Sequence, residues 1–283
     1  MNATRYAAGS ASAAVACRLN PHAGAPAASW LAFRLPARVR GALRRLKRDR
    51  IPAVWFAPDR PRPSRLVWAA AAAWAGVRIA EHPSDAAASV RRVNFQCRDV
   101  SKSRVAAVFE AVFGYPLALD PTTTCGYAVE KSEAGGVNER RVVRCPRQPA
   151  PGRIYQRLID NLEDNEVVDL RTPFVGGKPV VVFVKRRPIH RRFDTYNSQV
   201  SLARPEQVFS TAEIERLSAF VRAMKLDWGG LEILRDRASN RIYVVDVNKA
   251  DMPPLALTWR DKLRAVSRLA RAFRQLIEEE TNS

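Results

Sequence analysis

Glu232, Asp246 and Asn248 are the residues whose types and spacing most directly suggest chemistry. Glu232 lies in an apolar run beginning at Trp228-Gly229-Gly230, and Asp246 and Asn248 lie in a second run beginning at Arg241. Both runs read as β-strands, and the polar residues 236–240 between them read as a turn. Residues two apart on a strand project to one side, so Asp246 and Asn248 point together, and the hairpin brings Glu232 near them. Three converging oxygen donors suit a hard divalent ion, Mg²⁺ or Mn²⁺, whose remaining ligands are phosphate oxygens and water. The plainer reading is a hairpin whose inward positions are merely polar. That reading leaves Asp246 and Asn248 buried in an apolar strand without partners, at a cost of roughly a few kcal/mol.

The basic candidates stand upstream. Lys131 ends a strand-like segment and is followed by Gly135 and Gly136, a composition suited to a loop that covers phosphates. Lys185 and Arg186 are neighbours on another strand, so alternation lets only one of them face a given ligand. Arg187, Arg191 and Arg192 read as surface charge or substrate contacts, and His190 as unremarkable.

The elements that must position these residues become legible from Asp99 onward. Asp99 or Ser101 can cap a helix with Val105, Val108, Phe109, Val112 and Phe113 along one face, and Gly114 can end it. Strand-like segments recur at 126–130, 141–145, 153–155, 167–175 and 180–184. Ser210 to Glu213 form a capping box for a helix that turns Ile214, Leu217, Val221 and Met224 inward. A last helix over 260–279 carries Leu263, Val266, Leu269, Phe273 and Leu276 on one side. The pattern is α+β with antiparallel pairing dominant.

Upstream the chain reads differently. Residues 1–29 are Ala-, Gly-, Ser- and Pro-rich and are expected to be disordered; they are too weakly hydrophobic for a lipoprotein signal. Residues 30–94 form a small basic α/β region. A basic amphipathic helix is expected at 30–50, a short strand at 51–56, a Pro-Arg break at 58–65, an Ala/Trp helix at 64–75, and strands near 77–80 and 92–97.

Composition bounds the function classes. Hydrophobic residues at 47% and charged residues at 27% give an ordinary globular balance, against a fibrous or wholly disordered chain. The net charge of +19 favours anionic partners. Residues 1–100 hold 17 basic and 5 acidic groups, so a nucleic-acid-binding reading stays open, although no recognisable nucleic-acid motif accompanies the charge. Cys17, Cys97, Cys125 and Cys145 form no C-x-x-C pair, which points away from a zinc site or disulfide framework and toward a reducing cytoplasm. The longest apolar run, Leu66 to Val77, is too short for a membrane span.

Taken in order, these motifs resemble the ATP-grasp superfamily, which includes D-alanine–D-alanine ligase, glutathione synthetase and the ribosomal-protein glutamate ligases. The likeness runs over roughly residues 95–275. The family's acidic strand, turn and acidic-x-Asn strand correspond to Glu232, Asp246 and Asn248. Its phosphate-binding lysine and Gly-bearing loop correspond to Lys131, Gly135 and Gly136, and its first nucleotide-contacting lysine to Lys102. The segment Ile154 to Ile159 looks like the hinge that holds the adenine, with Gln156 where a Glu is usual and Leu158 and Ile159 following; Glu163 falls near the ribose-binding acid. Asp169-Leu-Arg171 and Lys185-Arg186 look like the glutamate-ligase branch, whose basic residues face the triphosphate. Gly230 stands where some ligases have an arginine, so charge stabilisation falls to Arg171, Lys185 or Arg186. The resemblance implies an ATP-grasp domain over 95–283 that binds Mg-ATP and activates a carboxylate as an acyl phosphate for capture by an amine. A catalytically degenerate nucleotide-binding module is the other outcome it allows.

Overall fold

The computed structural model describes residues 53–57, 70, 77–79, 90–133, 139–194, 197–249 and 256–279. The expected disorder at 1–29 and helix at 30–50 lie outside them, as do the 58–65 break and, Ala70 excepted, the 64–75 helix.

Three sheets follow one another along the chain. The first is parallel, in the order β2 (Arg78–Ile79), β1 (Ala53–Phe56), β3 (Val90–Val93). Residues 92–97 were expected to be a strand; pairing instead stops at Val93 because Asn94 turns to a left-handed φ of 63°. The second sheet is antiparallel, with β4 (Gly126–Ser132) between β5 (Arg140–Cys145) and β6 (Arg153–Arg157). The third has seven strands. Its backbone is β11 (Gln199–Ala203), β10 (Val182–Pro188), β8 (Glu166–Val175), β12 (Trp228–Arg235) and β13 (Ile242–Asn248). The short β7 (Leu162–Glu163) and β9 (Lys178–Pro179) also pair with β8. Antiparallel pairing therefore dominates, as alternation in the sequence suggests.

Helices pack where their apolar stripes demand. Helix α1 (Lys102–Phe113) is capped by the Ser101 hydroxyl, which accepts from Arg104 N, and ends at Gly114 with φ 79°, a backbone few other residues adopt without strain. Helix α2 (Thr211–Ala223) has the full Ser210–Glu213 capping box. Leu217, Phe220 and Val221 are buried, while Ile214 is only half-buried. Both helices cover the face of the large sheet that carries Val168, Leu170, Phe174, Leu231, Ile233 and Val244. Phe109, Tyr115 and Tyr243 cluster with ring centroids 5.2–5.7 Å apart, and the Tyr115 hydroxyl donates to Ile242 O at 2.7 Å. Aromatic contacts of this kind add about 1 kcal/mol each beyond area burial. They fix the helix against β13, so that its first residue, Lys102, reaches the far end of that strand.

Helix α3 (Trp259–Glu278) closes the chain. Its stripe begins at Ala265 rather than at the expected Leu263, which is 42% exposed because the first turn reaches past the core. Val266, Leu269, Phe273 and Leu276 pack with Trp228, Val175, Val77 and the parallel sheet's Val54, Ile79 and Val93. Asn94 ties that sheet to β12. Its Nδ2 donates to Trp228 O at 2.6 Å, and its Oδ1 accepts from Asp227 N at 2.9 Å and Trp228 N at 3.0 Å. No described helix is long and apolar enough to cross a membrane.

Candidate nucleotide and cation site

The face of the large sheet opposite α1 and α2 carries a charged row across three strands. Arg171, Glu232 and Asp246 stand directly opposite one another on β8, β12 and β13. This alignment depends on a β-bulge. The pairing is Ile233 with Val244 but Glu232 with Asp246, so Val245 has no counterpart on β12. Plain alternation would put Asp246 on the helix-covered face with Val244; the extra residue turns Asp246 and Asn248 to the cleft beside Glu232. The Val245 carbonyl accepts from Lys131 Nζ at 3.1 Å.

Cations surround the two acids. Glu232 Oε1 accepts from Arg171 Nη1 at 3.1 Å and lies 3.7 Å from Lys185 Nζ, while its Oε2 lies 3.7 Å from Arg140 Nη1. Asp246 pairs with Lys102. Burial alone would raise the pKa of Glu232, but Lys185, Arg171, Arg140 and Lys131 outweigh it and bring the carboxyl down to about 2. Burial lowers Lys131 to about 8, opposed by Asp246 and reinforced by Arg140 and Lys102. Burial also lowers Lys185, with Glu232 opposing.

Next to this cluster the cleft becomes apolar. Val129, Ile159, Leu234 and Val245 line it with Lys131, Arg140 and Gln156. Gln156 is 1% exposed, and both its side-chain polar atoms lack a partner. A buried amide with donor and acceptor both unused is costly unless a ligand completes it, and the planar edge of a heterocyclic base offers that pattern. Arg192 closes one side, donating to Ile159 O and, at 2.6 Å, to Asn161 Oδ1.

The structure thus gathers Lys102, Lys131, Gln156, Ile159, Arg171, Lys185, Glu232, Asp246 and Asn248 on one cleft. Three expected members, Arg186, Glu163 and Leu158, stand apart. Arg186 alternates to the opposite face from Lys185, and its Nη2 donates to Glu163 Oε2 at 2.6 Å. Arg186 and Glu163 therefore satisfy each other outside the charged row. Leu158 is half-buried and does not line the cleft, and Gly135 and Gly136 lie outside the described residues. Arg187 corrects the surface-charge reading. It is 1% exposed, pairs with Asp169, donates to Asp194 O at 2.7 Å, and burial lowers its pKa to about 10. Arg192 likewise works inside the cleft, whereas His190 is exposed as expected.

Arg140 is the main residue missed in the sequence. The available signal was its position as the first basic residue after the Gly-bearing loop, opposite Lys131 across the hairpin.

Among the described residues no three His, Cys, Asp or Glu side chains form a metal-sized group. The donor set here is two carboxylates and one amide on a single face, with Glu232 and Asp246 on directly paired residues. That set fits a magnesium ion, which takes one or two protein carboxylates and leaves its other positions to phosphate and water.

No family model and no curated protein matches the chain. Among solved structures, the ATP-grasp ligase PsnB complexed with a precursor peptide and AMPPNP superposes with a TM-score of 0.53 at 12% identity, over 82% of this chain and 99% of that one. In a PsnB complex with a phosphomimetic variant of a minimal precursor, Mg and ADP, the match has a TM-score of 0.46 and 15% identity. It covers 67% of this chain and 62% of that one, less than two thirds of its length. A RimK domain ATP-grasp protein from Sphaerobacter thermophilus gives a TM-score of 0.46 and 14% identity over 80% and 99% of the two chains. At such low identity the likeness concerns architecture, and the architecture is plain: this chain has the ATP-grasp fold.

Proposed function

We propose that the chain is an ATP-dependent ligase that binds Mg-ATP in this cleft and activates a carboxylate for capture by an amine. The observation that carries the proposal is the cross-strand pair Glu232–Asp246, with Asn248 on the same face, ringed by basic side chains beside an apolar slot. In this reading Gln156 and Ile159 hold the base, Lys102 and Lys131 the phosphates, and Glu232, Asp246 and Asn248 the metal. The ion, when bound, neutralises charge on the transferring phosphoryl group.

The protein's own residues act by position. Arg171 and Lys185 stand next to Glu232 and hold the terminal phosphate against the incoming carboxylate. The carboxylate oxygen forms a bond to the γ-phosphorus as the bridge to ADP breaks, giving an acyl phosphate. A neutral amine then adds at the carbonyl carbon, the C–O bond to phosphate breaks, and the amine's surplus proton leaves with the phosphate or to water. Glu232 stays ionised throughout, because a carboxyl with a pKa of about 2 is far too weak a base to take the amine's proton at neutral pH.

The PsnB structure contains a precursor peptide, so a peptide bearing carboxylate side chains belongs among the substrates tried. An N-terminal region ending near residue 94, an ATP-grasp unit from 95 and a reducing cytoplasmic setting complete the proposal.

The experiment is ADP release by the full chain across a panel of carboxylates, peptides included, with amines. Asp246→Asn is expected to lower turnover at least a hundredfold with the unfolding midpoint little changed. Full turnover in that variant would overturn the assignment of Asp246 to the metal.

A further inference from the structure

Five basic side chains converge on two acidic ones in the cleft: Lys102, Lys131, Lys185, Arg140 and Arg171 around Glu232 and Asp246. Lys102, Lys131 and Arg171 make the direct contacts already described, and Lys185, like Arg140, stands 3.7 Å from Glu232. Arg140 differs in how little of its fork is used. It comes from the small antiparallel sheet, and its three guanidinium contacts are all weak or missing. Nη1 stands 3.7 Å from Glu232 Oε2, Nη2 donates to Phe193 O at 3.5 Å, and Nε is buried without a partner. A guanidinium has five N–H donors in a fixed fork, and a settled structural arginine uses them at about 2.7–2.9 Å. The ring of Phe193 supports the Arg140 group from 5.6 Å and aims it into the cleft.

Its place in the hairpin also sets it against a like charge, with the Glu232 carboxylate as the anion near both. Arg140 stands directly opposite Lys131 across β4 and β5. Directly opposed like charges in an antiparallel pair repel, and here both belong to side chains lining one cleft. An anionic group between them converts repulsion into a shared contact. Arg140 meets one oxygen of Glu232 while Arg171 and Lys185 meet the other, so the three basic groups surround the carboxylate assigned above to the metal. The end of a polyphosphate farthest from the base reaches this position.

We infer that Arg140 is a nucleotide contact delivered by the small sheet to the terminal phosphate, facing Arg171 and Lys185 across it. The inference deepens the Mg-ATP reading given above and rests on it. Once Glu232 ligates a cation, its oxygen no longer pairs with Arg140. The freed guanidinium then meets the phosphate oxygens bidentately, a geometry lysine cannot reproduce. Arg140 thereby favours the triphosphate over the diphosphate.

The test compares titration calorimetry of Mg-AMPPNP and of Mg-ADP on the full chain, for the wild type, Arg140→Met and Arg140→Lys. Arg140→Met is expected to weaken Mg-AMPPNP at least tenfold while leaving Mg-ADP within twofold. Arg140→Lys is expected to lie between the wild type and Arg140→Met. Equal loss for both nucleotides, or no loss, overturns the inference while the Mg-ATP reading stands. A wild-type chain that binds neither nucleotide overturns both. If Arg140→Met fails to fold, the same ratio in Arg140→Lys decides: an unchanged preference for the triphosphate overturns the role of Arg140.

Discussion

Lys131 combines burial, a backbone hydrogen bond and nearby charges in one side chain. Burial brings its pKa to about 8 from the usual 10.5. A polyphosphate beside it favours the charged form and raises that value on binding. Above about pH 8, nucleotide binding should therefore take up a proton, and affinity should fall as the pH rises. Calorimetry at pH 8.5 in buffers of different ionisation enthalpy measures this directly; heats that do not depend on buffer would remove Lys131 from the phosphate site. Glu232 is also shifted down, but there the shift favours the charged form. Its ion pairs stabilise the fold at pH values above about 4.5, and this contribution is lost as the pH falls toward 2. The residue types themselves were legible in the sequence, since an acid-turn-acid-x-Asn pattern has few other uses. Arg140 and Arg187 were not. An arginine in a basic chain looks like surface charge until the register shows that Lys131 faces one and that Asp169 lies within reach of the other.

At the scale of elements, strands and helices followed their periodicities closely, down to the Ser210 capping box and the Gly114 stop. Alternation and capping are local signals, and local signals are what a single sequence carries. Pairing between distant strands and the bulge are not local, so the meeting of Arg171 with Glu232 and Asp246 could only be expected by resemblance. Gly229 is a clear case of sequence identity enforced by a distant contact. A Cβ there would lie 2.7 Å from Asn248 O and 2.8 Å from the Leu226 side chain. Gly229→Ala must push β12 and β13 apart at Asn248. The expected cost is ~1–3 kcal/mol, with a weaker response to Mg-nucleotide, read from the unfolding midpoint with and without ligand. An unchanged midpoint and ligand response would mean that this close approach does not hold Asn248 in place.

For the whole molecule, Asn94 is the polar joint between the parallel sheet and the large one. Asn94→Ala removes an acceptor from Asp227 N and Trp228 N and a donor from Trp228 O, and leaves a left-handed φ that alanine tolerates poorly. The expected loss is on the order of 3 kcal/mol, measured by denaturant unfolding. A loss under about 0.5 kcal/mol, the scale of an ordinary surface substitution, would show that the apolar cluster around Trp228 and Phe273 joins the two sheets without it.

The extra residue at Val245 also limits how the chain can change in length. Loops elsewhere can gain or lose residues at little cost. Lose Val245, and Asp246 would follow Val244 directly; ordinary alternation would still set the acid opposite Glu232 and the amide opposite Gly230, but the carbonyl that holds Lys131 and one wall of the slot would be gone. The inserted residue thus seats a lysine from a neighbouring sheet, and a shorter strand with every acid still in place would leave that lysine without its anchor.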